Sequence, residues 1–81
     1  MNKENPSQCE YLDLRGTPCP VNYIRSSLAA EKLTNNDFLN IDLDKGEPEE
    51  MVFLGLKKAG HNVKVIINEV TWVRLMVTSS G

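Results

Sequence analysis

The spacing of apolar and polar residues changes along the chain, and each change marks an element. Tyr11 to Leu14 alternates with Leu12 and Leu14 on one face, which predicts a short strand. Gly16 and Pro18 break it. From Pro20 the period is helical. Val21, Ile24 and Leu28 fall at i, i+3 and i+7, predicting a helix that buries these three and turns Ser26, Ser27 and Glu31 outward. Asn35 and Asn36 stop it. Phe38 to Asp44 alternates again, Leu39, Ile41 and Leu43 against Asn40, Asp42 and Asp44, as a half-buried strand does. Pro48 opens a second helix that runs to about Ala59. Glu49 and Glu50 sit in its first turn and Lys57 and Lys58 in its last, as the macrodipole favours, and Gly60 supplies the stop. Val63, Val65 and Ile67 form one face of a third strand, Asn68 and Glu69 reverse the chain, and Val73, Leu75 and Val77 form the inner face of a fourth.

The order β-α-β-α-β-β predicts an α+β fold. It is a two-layer sandwich, with two helices on one face of a four-stranded mixed sheet whose last two strands make a hairpin. Right-handed crossovers bring both strand-to-helix loops, Arg15–Cys19 and Asp44–Glu47, to one edge of the sheet. Residues 10–78 form the domain. Residues 1–9, polar and containing Pro6, read as a flexible tail, and residues 79–81 as a frayed end.

At 81 residues there is room for one domain only. The net charge of -2 argues against a grip on nucleic-acid phosphates, and no basic-aromatic RNA-binding signature is present, so direct nucleic-acid binding is not expected. No apolar run approaches the ~18 residues that span a bilayer, and the first residues lack a signal-peptide core. A cytoplasmic protein without a membrane partner is expected, a monomer or a weak dimer through its uncovered sheet face. Cys9, Cys19 and His61 are too few for a usual zinc or iron–sulfur site, and no bound cofactor is expected. An extended Glu10–Leu14 spans roughly 15–17 Å, whereas a disulfide needs Cα atoms within about 7 Å, so both cysteines read as free thiols.

Pro18-Cys19-Pro20 carries the chemistry. With Pro20 at the first helical position, Cys19 is the expected N-cap, and positive partial charge at a helix start lowers a thiol pKa. Arg15 would add to this effect, while Asp44 and Glu47 would oppose it. The stretch from Leu12 to Pro20 (LDLRGTPCP), at the start of a chain of this length and element order, resembles the TusA/SirA-like sulfur carriers over about residues 10–78. The resemblance implies a sulfane sulfur carried as a persulfide on Cys19; Arg15, Gly16, Pro18, Pro20 and Asn22 are the expected supporting residues around it. It further implies a cysteine desulfurase or rhodanese-like donor and a sulfur-acceptor protein, within tRNA thiolation, molybdenum-cofactor or sulfur-oxidation chemistry. Such a relay is a sulfurtransferase-type carrier rather than a turnover enzyme. Asn22 stands where the family usually has its second proline; it restores a backbone N–H that an N-cap side chain can use, and it bears on loop rigidity and partner choice.

Other features have plainer readings. His61 follows the second helix, at the opposite end of the layer from Cys19, and reads as a surface histidine rather than a base for the thiol. Cys9 reads as an incidental thiol in the tail. On the second helix Val52, Leu56 and Ala59 make the core stripe, with Phe53 and Leu54 on its flanks. Tyr11, Ile66, Trp72 and Met76 point away from the helix layer, alongside Asp42, Lys64 and Arg74. Phe53, Leu54, Trp72 and Met76 are the candidate partner contacts. The alternative to a carrier is a regulatory or scaffolding module of the same fold with an inert Cys19.

Overall fold

The computed structural model describes residues 9–34 and 37–79. Its elements are β1 (Cys9–Asp13), α1 (Val21–Glu31), β2 (Phe38–Asp44), α2 (Glu47–Lys58), β3 (Asn62–Asn68) and β4 (Trp72–Thr78). The sheet order is β1-β2-β4-β3, with β1 parallel to β2 and the other two pairings antiparallel. Both helices cover one face, as the element order predicts. Leu39, Ile41 and Leu43 of β2 and Val73, Leu75 and Val77 of β4 are wholly buried there against Val52 and Leu56 of α2. No helix is long and apolar enough to cross a membrane among the described residues.

The ends of α2 follow local rules closely. Gly46 is its N-cap and, lacking a side chain, offers only half of a capping box, its N–H donating to Glu49 Oε1 at 3.3 Å. At the other end Gly60 has φ +100°, and its N–H donates to the Lys57 carbonyl while that of His61 donates to the Leu56 carbonyl. This is the doubly bonded left-handed stop that glycine favours.

Several expectations need correction. Cys9 is the first residue of β1, in register with Phe38, and not part of a tail. The parallel pairing with central β2 extends β1 further than alternation alone suggested. Residues 1–8 and 80–81 lie outside the described residues, as do Asn35 and Asn36; α1 already ends at Glu31. The hairpin reverses over Glu69–Thr71, where the Glu69 N–H donates to the Trp72 carbonyl, one residue later than expected. Ala59 is exposed, being the C-cap of α2 rather than part of its core stripe.

The largest correction concerns α1. Val21, Ile24 and Leu28 are 43%, 49% and 55% exposed, while Asn22, Ser26 and Ala30 are buried. The inward face is Asn22, Tyr23, Ser26, Ala29, Ala30 and Leu33, a helical stripe of mostly small side chains rotated away from the apolar one. Close approach to α2 favours it. The Tyr23 ring lies where a Cβ on Gly55 would stand, 3.0 Å from Cδ1 and nearer still to Cε1. Polar atoms on this face find local partners: Ser26 Oγ donates to the Asn22 carbonyl at 2.8 Å, and Asn22 Oδ1 accepts from the Tyr23 N–H at 2.6 Å. Asn22 Nδ2 has no partner among the described residues.

β3 also departs from simple alternation. The register shifts between Val65 and Ile67, a bulge that leaves Ile66 unpaired. Val65 keeps its place opposite inward-facing Leu75 yet is 43% exposed, because it lies at the margin of the helix layer. Ile67 stands opposite Arg74 and so on the uncovered face, contrary to expectation. One inserted residue moves everything beyond it to the other side.

Candidate functional site

The two strand-to-helix loops meet at one edge of the sheet, as expected. Gly16, at φ +80°, donates its N–H to Asp44 Oδ2 at 2.8 Å, tying the loop after β1 to the end of β2. Leu14 anchors the same loop from below, wholly buried and bonded through its N–H to the Asp42 carbonyl at 2.9 Å. Pro18 and Cys19 follow, both exposed.

Cys19 is not the N-cap. The helix starts at Val21 and Pro20 occupies the cap position, with no side-chain cap hydrogen bond. The Pro18 carbonyl accepts the Asn22 N–H at 3.1 Å, closing a turn around Cys19 and Pro20 at the entry to the helix. The Asn22 N–H is therefore already used and is not offered to the thiol. Instead Cys19 Sγ donates to Met51 Sδ, 2.9 Å away on the first turns of α2. The helix-start argument for thiolate stabilisation loses its geometry, and a sulfur neighbour takes its place. Met51 is a site residue that sequence reasoning missed. Its only signal was an exposed methionine near the second strand-to-helix loop, which binary patterning treats as ordinary surface.

Arg15 is engaged elsewhere. It makes a bidentate pair with Asp13, Nε to Oδ1 at 2.8 Å and Nη2 to Oδ2 at 3.0 Å, and its guanidinium stacks 4.9 Å above the Trp72 ring. Hydrogen bonds from the Arg15 side chain and backbone hold the Asp13 carboxyl down at about 2. This pair belongs to a larger arrangement on the uncovered sheet face. Asp13 and Asp42 stand in register across β1 and β2, two like charges side by side, and each has its own arginine. Arg74 binds Asp42 through Nε at 2.7 Å and Nη2 at 3.0 Å, and Tyr11 donates its hydroxyl to the same carboxylate. Asp42 is 1% exposed. Burial pushes its pKa upward, but the bonds from Arg74 and Tyr11 outweigh this and hold it below the usual carboxylate range. Arg74 also lies over Tyr11 at 5.3 Å and Trp72 at 5.7 Å.

The four candidate contact residues separate into two places. Leu54 is 58% exposed and lines a shallow groove with half-buried Phe53, Glu49, Glu50 and Val65. Trp72 and Met76 are half-buried on the other face, Trp72 beneath the two arginines. The reversed α1 adds surface that the sequence had assigned to the core. Val21 and Ile24 follow directly after the thiol, and Leu28 continues their stripe. Cys9, at the start of β1 and exposed, accepts from Asn40 Nδ2 at 3.6 Å, while Cys19 lies beyond the end of that strand. His61 closes α2, away from its N-terminal turns. Among the described residues no group of three His, Cys, Asp or Glu side chains could hold a metal ion.

The site thus defines a small four-stranded α+β domain with an exposed thiol between its first strand and first helix. The family described as Sulfurtransferase TusA matches residues 10–79, and the chain belongs to that family. Among solved structures, a SirA-like protein from Desulfitobacterium hafniense shares the fold. Its TM-score is 0.73 at 14% sequence identity, over 88% of this chain and 97% of that one. No curated protein matches the chain.

Proposed function

We propose that this protein is a sulfur carrier that holds a sulfane sulfur as a persulfide on Cys19 and passes it to an acceptor protein. One observation carries the reading: Cys19 is an exposed thiol on the loop where both strand-to-helix connections converge, within the segment that resembles the family's sulfur-bearing motif. The thiolate of Cys19 attacks the outer sulfur of a donor persulfide. A new S–S bond forms to Cys19 Sγ, the donor's own S–S bond breaks, and the electron pair leaves with the donor as a thiolate that takes up a proton. Nothing is oxidised or reduced overall, so the exchange needs no cofactor. A cysteine desulfurase or rhodanese-like protein serves as donor, in the reducing cytoplasm that suits two free cysteines. Val21 and Ile24, which follow the thiol on α1, and the groove of Phe53 and Leu54 on α2 supply apolar contact, in keeping with a protein that must dock on two others in turn. Trp72 and Met76 offer a second contact area on the sheet face.

Mass spectrometry after incubation with a cysteine desulfurase and cysteine tests the reading. The expected result is the mass of one added sulfur atom, mapped to Cys19 and lost in Cys19→Ser. An unmodified Cys19, or loading confined to Cys9, overturns it; a stable complex without any loading supports a scaffolding module instead.

A further inference from the structure

Cys19 Sγ and Met51 Sδ are 2.9 Å apart, a contact that joins the loop before α1 to the start of α2. Each S–S bond is about 2.05 Å long, so a third sulfur placed between these two would stand within bonding range of both. The space between them therefore admits no carried sulfur. Resting on the carrier reading above, we propose that Met51 is a positioning residue for sulfur transfer: its side chain closes the α2 side of Cys19 and directs the carried sulfur outward, where an incoming thiol can reach it.

Transfer sets the geometric requirement. The acceptor thiolate attacks the outer sulfur in line with the bond that breaks. A new S–S bond forms to the acceptor, the Cys19 Sγ–S bond breaks, and its electron pair stays on Cys19 as a thiolate that takes up a proton. The attacked sulfur must therefore present its far side to solvent. A sulfur folded against α2 would present that side to the helix instead. Methionine suits the position. It is 43% exposed, unbranched and uncharged, and its polarizable thioether accepts the thiol proton weakly in the unloaded protein. Loading removes the proton from Sγ, so the contact ends and Met51 meets new surroundings.

Two measurements test this. In protein labelled with 13C at the methionine methyl groups, the Met51 resonance is expected to shift when Cys19 is loaded by a cysteine desulfurase and cysteine. The resonance of Met76, on the uncovered sheet face, is expected to stay in place. With glutathione as the acceptor, Met51→Ala, brought to full loading by longer incubation, is expected to release its sulfur about tenfold more slowly, within the ~10²-fold that a 1 Å misplacement of reacting atoms can cost. Met51→Leu, which restores the bulk, is expected to recover the wild-type rate, and this separates positioning from folding. Loading with an unmoved Met51 resonance, or equal release rates for wild type and Met51→Ala, overturns the role of Met51 and leaves the carrier reading standing. A wild-type protein that takes up no sulfur overturns both.

Discussion

Gly55→Ala tests the close packing that turns α1 over. Alanine in a helix interior is favoured over glycine by about 1 kcal/mol, so an unobstructed position would be stabilised by that amount. At Gly55 the added Cβ would stand 3.0 Å from Cδ1 and 3.1 Å from Cζ of Tyr23, and closer than either to Cε1. These are ring atoms held between two helices, so the ring or α1 itself must shift, and overpacking of this kind costs about 1–3 kcal/mol. The net expectation is a destabilisation of about 1 kcal/mol, or a melting temperature lower by about 4–8 °C for a domain of this size. Tyr23→Ala removes the obstacle. In that background Gly55→Ala should stabilise by about 1 kcal/mol, giving a coupling of about 2 kcal/mol between the sites. Urea unfolding of the four proteins in the cycle measures it. A Gly55→Ala protein more stable than wild type, or a coupling near zero, would refute the packing of Tyr23 on Gly55 and with it the orientation of α1.

Asp42→Asn should destabilise by about 1–2 kcal/mol in denaturant melts, because Arg74 loses its charged partner but keeps partial access to water. The pKa of Asp42 is lowered in the folded state, so its stabilisation is present above about pH 4 and is lost as pH falls through the folded value. Acid unfolding of wild type should therefore steepen below about pH 4 relative to Asp42→Asn. Cys19→Ser should stay within about 0.5 kcal/mol of wild type by thermal melt, since the side chain is exposed and caps nothing, while Cys9→Ser should load sulfur normally. Asn22→Pro should cost about 2 kcal/mol for the lost bonds to the Pro18 carbonyl and from the Tyr23 N–H, yet still accept sulfur at Cys19, as a melt and persulfide mass spectrometry would show.

β2, β4 and the second helix were legible because their burial follows from hydrophobicity alone. β2, β4 and the Val52–Leu56 stripe bury the residues that alternation and helical spacing select. α1 was misread because two stripes compete on it, and the winning one is chosen by size: small residues permit close packing on α2, which a count of apolar residues does not register. The Ile67 reversal required knowing where the sheet accommodates an extra residue, a property of the pairing with β4 rather than of β3 itself. At the site, position along the chain was enough to place Cys19 between β1 and α1 and to bring the two loops together. The thioether of Met51 meets Cys19 only when separate segments are folded together.

The stacking of Arg15 on Trp72 has a practical consequence. Trp72 is the single tryptophan of the chain, and Arg15 lies in the same short loop as Cys19. Indole emission responds to a charge held against the ring, so the unlabelled protein carries an optical probe of that loop. Movement of the Arg15–Cys19 segment during loading or docking would lift the guanidinium from the indole. It would then register as a change in intrinsic fluorescence, in real time and without altering a residue.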